Sequence, residues 1–185
     1  MLSIIQAIKH LFINIFFMFI NNGQVVSLSY ILHLDSPNGE LADHADASKP
    51  LVFIYGIGQL LPKFEENIIG KKIGDPFSFK LEAKDGYGIS IPEYIVPVPK
   101  DIFIIDGKLA DDLLTVGNVV PLQDQNGNPM QGTILEIGFD TVTLDFNHPL
   151  AGRDLFFSGK VEHVRPATQS ELDHGHVHGD GGVHH

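Results

Sequence analysis

Residues 145–152, Asp-Phe-Asn-His-Pro-Leu-Ala-Gly, constrain this chain more than any other stretch. Asn147 and Pro149 favour a turn, Gly152 lets the backbone close, and apolar strand patterns flank it on both sides, Thr141–Asp145 before and Leu155–Val164 after. A turn between two such strands points to a sheet, and the rest of the chain agrees. Val26, Leu28, Tyr30, Leu32 and Leu34 alternate with Ser27, Ser29 and His33, the pattern of a half-buried strand.

The intervening elements follow from local signals. Ser36-Pro37-Asn38-Gly39 is a turn, 43–48 reads as a polar loop, and Leu51–Tyr55 as a second strand. A short helix is expected to open at Gly58, with Pro62 in its first turn, Leu61, Phe64 and Ile68 on one face, and Gly70 as its stop. Gly74-Asp75 leads into the alternating strand Phe77–Leu81, and Asp85-Gly86-Tyr87-Gly88 is another tight turn.

Past Pro92 the texture changes. Pro97-Val98-Pro99 cannot be a central strand, because proline has no N–H to give a ladder. Asn126-Gly127 signals a hairpin joining Val119–Leu122 to Met130–Ile137, with Thr141–Asp145 as a third strand. These segments read as a small β unit inserted into the main domain.

Composition narrows the function classes. A chain of 185 residues can bury one sizeable core plus a small satellite. Twelve basic residues scattered among twenty-three acidic ones, for a net charge of −11, make no phosphate-binding stripe and argue against nucleic acid. Cysteine is absent, which excludes disulfides and thiol chemistry and suits a reducing cytoplasm. The stretch Ile4–Ile20, which ends in the apolar run Leu11–Ile20, is shorter than about 20 residues and is interrupted by Gln6, Lys9, His10 and Asn14, so it reads poorly as a membrane span, and no small-residue cleavage site follows it. The expected reading is that 1–17 form an upstream extension and that Met18 is the functional start. A secretory or anchoring segment over residues 1–23 is the alternative, which would place the protein outside the cytoplasm or on a membrane.

Four local patterns, in order, carry a family resemblance: Val25-Val26-Ser27-Leu28-Ser29-Tyr30, Asp85-Gly86-Tyr87-Gly88, Val98-Pro99-Lys100-Asp101-Ile102-Phe103, and Asn147-His148-Pro149-Leu150-Ala151-Gly152. Together they resemble the SlyD-type FKBP peptidyl-prolyl isomerases over residues 18–166. The resemblance implies an α+β fold: an FKBP-like antiparallel sheet wrapped on a short helix, with a small inserted mainly-β insert-in-flap domain and a disordered His-rich tail. It places the isomerase domain at 18–90 and 146–168, the insert at 91–145 and the tail at 169–185. It implies that the isomerase part acts on X–Pro bonds and that the insert captures unfolded or partly folded proteins. It implies no cofactor for isomerisation, and a monomer is expected.

The family's pocket positions fall on Tyr30, Asp43, Leu60, Leu61, Phe64, Tyr87 and Phe157. The resemblance assigns Leu60, Leu61, Phe64 and Phe157 to the wall that cradles proline, Tyr87 to hydrogen bonding with a substrate carbonyl, and Tyr30 and Asp43 to the rim. Asp46 could take the register of Asp43, and Phe64 stands where single-domain relatives usually carry Trp. On periodicity alone Phe64, Leu61, Tyr30 and Phe157 would be ordinary core residues. Ile102–Ile105 is a dense apolar run, either the insert's own core or an exposed patch for unfolded chain. His148 reads as structural.

His174, His176, His178, His184 and His185 sit among glycine and aspartate, a composition with no means of forming a core, and Gly175 and Gly179 argue against a helix. Imidazole-rich sites favour nickel, copper or zinc over magnesium or calcium. A solvated tail without metal is the plainer alternative. Two competing functions remain at this level: a non-catalytic holdase that works through the insert, and a nickel metallochaperone that works through the tail.

Overall fold

The computed structural model describes residues 19–105, 108–109, 113–124 and 126–178. The residues expected to form an upstream extension, and His184 and His185, lie outside the described residues. The chain divides into two compact units, one comprising residues up to Gly86 together with those from Arg153 onward, the other Tyr87–Gly152.

The first unit is built around one long strand. β1 (Gln24–Leu34) pairs antiparallel with β11 (Leu155–Pro166) along its whole length. Its other edge is shared: β3 (Leu51–Ile54) covers Val25–Leu28, and β2 (Glu40–Ala45) covers Tyr30–Leu34. β4 (Pro76–Leu81) completes the sheet on the far side of β11. The expected alternation holds, with Val26, Leu28, Leu32 and Leu34 buried and Ser27 and Ser29 half-exposed. Helix α1 (Pro62–Ile68) packs against the sheet through Phe64 and Ile68.

Three expectations change. The helix opens at Pro62, not Gly58, because Gly56 and Gly58 hold φ of 84° and 80°, outside the right-handed helical region. The first three residues of the expected polar loop, 43–45, instead belong to β2 (Glu40–Ala45), an edge strand exposed at five of its six positions, so burial imposes no apolar alternation on it.

The third change is in the tail. Over residues 169–178 it is ordered rather than disordered, with helix α2 at Gln169–His174. Thr168 and Glu171 form a capping box, the Thr168 hydroxyl accepting from the Glu171 N–H (3.2 Å) and the Glu171 carboxylate accepting from the Thr168 N–H (2.8 Å). Arg165 donates twice to the same carboxylate, at 2.7 and 2.9 Å, and the His178 N–H adds a bond of 3.1 Å. Glu171 is only 1% exposed. Its carboxyl is held far below the ordinary range, chiefly by the Arg165 guanidinium and further by the backbone donors, which outweigh the opposing effect of burial. Val177 is buried against Val25 and Ile54, so the segment ends on the sheet.

The second unit is a four-stranded antiparallel sheet, β5 (Ile95–Pro99), β10 (Thr141–Asp145), β9 (Pro129–Ile137) and β8 (Val119–Gln123), with a two-stranded pair β6 (Ile104–Ile105) and β7 (Lys108–Leu109). The Pro-Val-Pro run forms an edge strand, as the missing N–H groups require. Asp124 holds the Asn126-Gly127 hairpin by accepting from the Asn126 and Asn128 N–H groups, both at 2.8 Å. Phe103, Val120, Ile134, Val142 and Leu144 form the core. The apolar run therefore divides: Phe103 is core, while Ile102 and Ile104 are exposed.

The tail's order gives a stability prediction. Glu171→Ala removes the cap and the partner of Arg165, and Arg165, being partly exposed, can rehydrate. The loss should be about 1–3 kcal/mol by thermal or denaturant unfolding, and tail amides near 174–178 should lose hydrogen-exchange protection.

Candidate active site

The expected pocket residues of the first unit gather on four elements: β1, β2, α1 with its approach, and β11. Phe157 on β11 lies opposite Phe79 on β4 and opposite Leu32 on β1. Two positions along, Gly159 lies opposite both Tyr30 and Phe77. A Cβ there would sit 2.2 Å from the Ser29 carbonyl oxygen and 2.5 Å from the Phe77 ring, so only glycine lets the ring and the neighbouring backbone come this close.

Helix α1 delivers Phe64 into this cluster. Its ring stands edge-on to three others: Phe157 (centroids 4.9 Å, 80°), Phe79 (5.4 Å, 74°) and Phe77 (6.2 Å, 76°). Such T-shaped contacts place a positive ring edge on a negative face and fix orientation as well as burial. Tyr30 approaches Phe157 at 6.1 Å. Phe64 and Phe157 are both buried.

Polar groups sit at the margin. The Tyr30 hydroxyl donates to Asp43 Oδ2, and Asp43 Oδ1 accepts from the His44 N–H at 2.8 Å. Asp43 is carried on β2 opposite Leu32, beside a register shift in the β1–β2 pairing. Asp46 is engaged in its own turn, accepting from the Ser48 hydroxyl (2.6 Å) and from the N–H groups of Ser48 (2.7 Å) and Lys49 (3.1 Å).

Leu60 and Leu61 are half-buried on the approach to α1, and Leu61 is the helix N-cap, its carbonyl accepting from the Phe64 N–H at 2.9 Å. That approach is fastened at several points. The Tyr55 hydroxyl donates to the Glu65 carbonyl (3.2 Å), and the Gly56 N–H to the Glu65 carboxylate (3.2 Å). Gln59 accepts from the Ile54 N–H and donates to the Gly175 carbonyl, both at 2.9 Å. Tyr87 belongs to the second unit, where its ring stacks face to face on His148, with centroids 4.1 Å apart and planes 2° from parallel.

Sequence reasoning missed Phe77 and Phe79, although their alternation in the strand pattern could have placed them beside Phe157. It also missed Gln59, whose role depends on a partner 116 residues away and leaves no local signal.

The sequence pattern of the FKBP-type peptidyl-prolyl cis-trans isomerase family matches residues 18–105. SlyD of Haemophilus influenzae, an FKBP-type peptidyl-prolyl cis-trans isomerase, is 37% identical over 160 residues, covering 86% of this chain and 80% of that protein. The chain belongs to the SlyD-type FKBP isomerases. SlyD of Yersinia pestis is 38% identical over 156 residues, 84% of this chain and 76% of the relative. The same identity and chain coverage hold for SlyD of Escherichia coli, with 75% of the relative covered. No helix among the described residues of this SlyD-type chain is long and apolar enough to cross a membrane.

Tyr30→Phe removes the bond to Asp43 but keeps the ring against Phe157. Its stability cost should be small, about 1 kcal/mol or less for a hydrogen bond at an exposed site. Isomerase kcat/KM on a prolyl peptide should fall several-fold. An unchanged kcat/KM would take Tyr30 and Asp43 out of the site.

Proposed function

We propose that Phe64, Phe157, Leu60 and Leu61 form the wall against which this isomerase holds a substrate prolyl ring, with Tyr30 and Asp43 at its rim and Tyr87 donating to a substrate carbonyl. The observation that carries this is the edge-on packing of Phe64 on Phe157 and Phe79 beside the Tyr30–Asp43 pair. The role of Tyr87 rests on the family pattern.

The chemistry needs neither a nucleophile nor a cofactor. Rotation about X–Pro is slow because the amide is conjugated, with a barrier on the order of 18–20 kcal/mol. Water stabilises the charge-separated planar form. An apolar wall withdraws that solvation and favours the twisted amide, in which conjugation and charge separation are both reduced. Contacts along the rest of the peptide hold the twist, so binding energy is expressed at the transition state. A phenyl-lined surface with a few orienting polar groups suits this task better than a charged one.

We also propose that residues 91–145, which make up most of the Tyr87–Gly152 unit, are the insert and bind unfolded or partly folded chain, making the protein a folding catalyst with holdase character in the cytoplasm. Phe139, at the β9–β10 turn, is 93% exposed, and Ile102 and Ile104 are exposed as well. Ile104 and Phe139 line one groove together with Pro99, Lys100, Asp101 and Asp140. Apolar side chains left in water on a unit with its own complete core suit capture of exposed apolar segments. A holdase without catalysis would need this surface alone and would leave the aromatic wall without a role.

A third assignment concerns metal. The ligand atoms of His174, His176 and His178 all lie within 4.8 Å of one another. This is an all-imidazole set suited to nickel, zinc or copper. Bound there, a metal would bridge the end of α2 and the segment after it. It has no step in amide rotation.

Exchange spectroscopy on an X–Pro peptide tests the first assignment. The protein should accelerate exchange, and Tyr87→Ala should lose roughly three- to tenfold, the worth of one hydrogen bond. No acceleration by the folded parent would favour the holdase. Replacing 91–145 by a short linker should spare catalysis on short peptides but depress catalysis of protein refolding. Equal loss on both substrates would refute the division of labour. Replacing His174, His176 and His178 by Ala should lower nickel affinity at least about tenfold by calorimetry. Retained stoichiometric binding would sink that site.

A further inference from the structure

We propose that His148 is the positioning residue for Tyr87: its imidazole is the platform that holds the tyrosine ring in the orientation the isomerase uses. The proposal rests on the assignment of Tyr87 to the substrate carbonyl.

Tyr87 is poorly restrained by its own segment. It stands between Gly86 and Gly88, and Gly88 has a φ of 85°, so the neighbouring backbone is the most permissive available. The side chain is 40% exposed, and among the described residues no hydrogen bond engages its hydroxyl. A tyrosine so placed would sample several rotamers, and ordering it at the moment of binding would weaken both binding and rate. The face-to-face contact with His148 removes that freedom while leaving the hydroxyl unused.

A platform works only if it is itself fixed, and His148 is. The Leu150 N–H donates to His148 Nδ1 at 3.1 Å, which sets the ring's rotation and leaves the proton of the neutral imidazole on Nε2. The Ala151 N–H donates to the His148 carbonyl at 2.8 Å and closes the turn. The preceding residue is clamped to the segment that follows Tyr87: Asn147 Oδ1 accepts from the Ile91 N–H (2.8 Å) and Asn147 Nδ2 donates to the Ile91 carbonyl (3.0 Å). Asp145 Oδ1 in turn accepts from Asn147 Nδ2 at 2.7 Å and fixes the amide's direction. On the other side the Gly152 N–H donates to the Gly88 carbonyl at 2.8 Å. The 147–152 turn is thus fastened to the Tyr87 segment at both ends, with His148 between the fastenings. The Asn-His-Pro-Leu-Ala-Gly run has a job beyond turning the chain: Asn147 and Gly152 set the distance between two segments, and His148 uses that distance.

A double-mutant cycle with full-length protein tests this. His148→Ala should lower kcat/KM on an X–Pro peptide by roughly two- to tenfold, the range that an aromatic stack is worth. His148→Phe, which keeps a flat ring, should recover most of the loss. In a Tyr87→Ala background, His148→Ala should have no further effect, because its action passes through Tyr87. NMR gives a readout independent of activity. The Tyr87 ring protons should move downfield in His148→Ala as the ring current of the imidazole is lost, with the aromatic resonances of Phe64 and Phe157 unchanged. An equal loss from His148→Ala with and without Tyr87, or no loss at all, would overturn the positioning role. If Tyr87→Ala alone left kcat/KM unchanged while the ring shift still responded to His148, the stack would stand but the assignment of Tyr87 to the reaction would fall, and the proposal with it.

Discussion

The first unit depends on β1 being paired on both edges along nearly its whole length. Its partner β11 carries Phe157 and Gly159 to the same stretch that β1 fills with Tyr30 and Leu32, and β2 and β3 share the opposite edge. The pairing register therefore decides which side chains face α1. A slip of one residue in the β1–β11 pairing would put Phe157 and Tyr30 on opposite faces of the sheet. Gly159 guards the register sterically, since any Cβ at that position meets the Ser29 carbonyl and the Phe77 ring. A helix as short as α1 has little stability of its own. Phe64 holds it in place by inserting edge-on among three rings, and the same insertion makes the apolar surface proposed above as the proline-holding wall.

What was legible in the sequence was whatever burial enforces. The alternation of β1 from Val26 to Leu34 and the strands Phe77–Leu81 and Leu155–Val164 could be read because one face of each is apolar. The Asn126-Gly127 hairpin could be read because turn chemistry is local. β2 was not legible. It is an exposed edge strand whose pairing comes from β1, and nothing in Glu40–Ala45 itself demands extension. The ordered part of the tail was missed for a different reason. Composition averaged over 169–185 hides a Thr168–Glu171 capping box and one apolar residue, Val177, and those few residues are enough to seat the segment on Val25 and Ile54. Tyr30, Asp43, Phe64 and Phe157 were named from family pattern, and the folded chain brings them together. Phe79 had its strand alternation to point to it, whereas Gln59 acts through a partner far away in sequence and left no pattern to find.

On the roles proposed above, the two units divide the physical requirements of a folding catalyst. An apolar wall that favours a twisted amide must be rigid, because catalysis depends on discriminating a transition state from a planar ground state that differs mainly in one torsion angle. The interlocked rings of Phe64, Phe77, Phe79 and Phe157 supply that rigidity. A surface that captures unfolded chain has the opposite requirement: it must accept many sequences and so relies on exposed apolar area rather than shape. Phe139, Ile102 and Ile104 lie outside a core that Phe103, Val120, Ile134, Val142 and Leu144 complete without them. Placing the two requirements on separate units lets each be met without compromising the other.

The histidine triplet shows how a little order changes the meaning of a spacing. In an extended chain His174, His176 and His178 would project to one side with their Cα atoms about 6–7 Å apart. Here His174 ends α2, and Gly175 turns the chain with a φ of 69°. The segment is then held by the Gln59 bond to the Gly175 carbonyl and the Glu171 bond to the His178 N–H. His174 Nδ1 and His178 Nε2 come within 3.2 Å. The ionised Glu171 that holds the loop is itself buried and has five hydrogen bonds satisfying its charge. The loop thereby gathers three histidines spaced along the chain into one cluster, and the same anchors tie that cluster to the sheet that carries Tyr30 and Phe157.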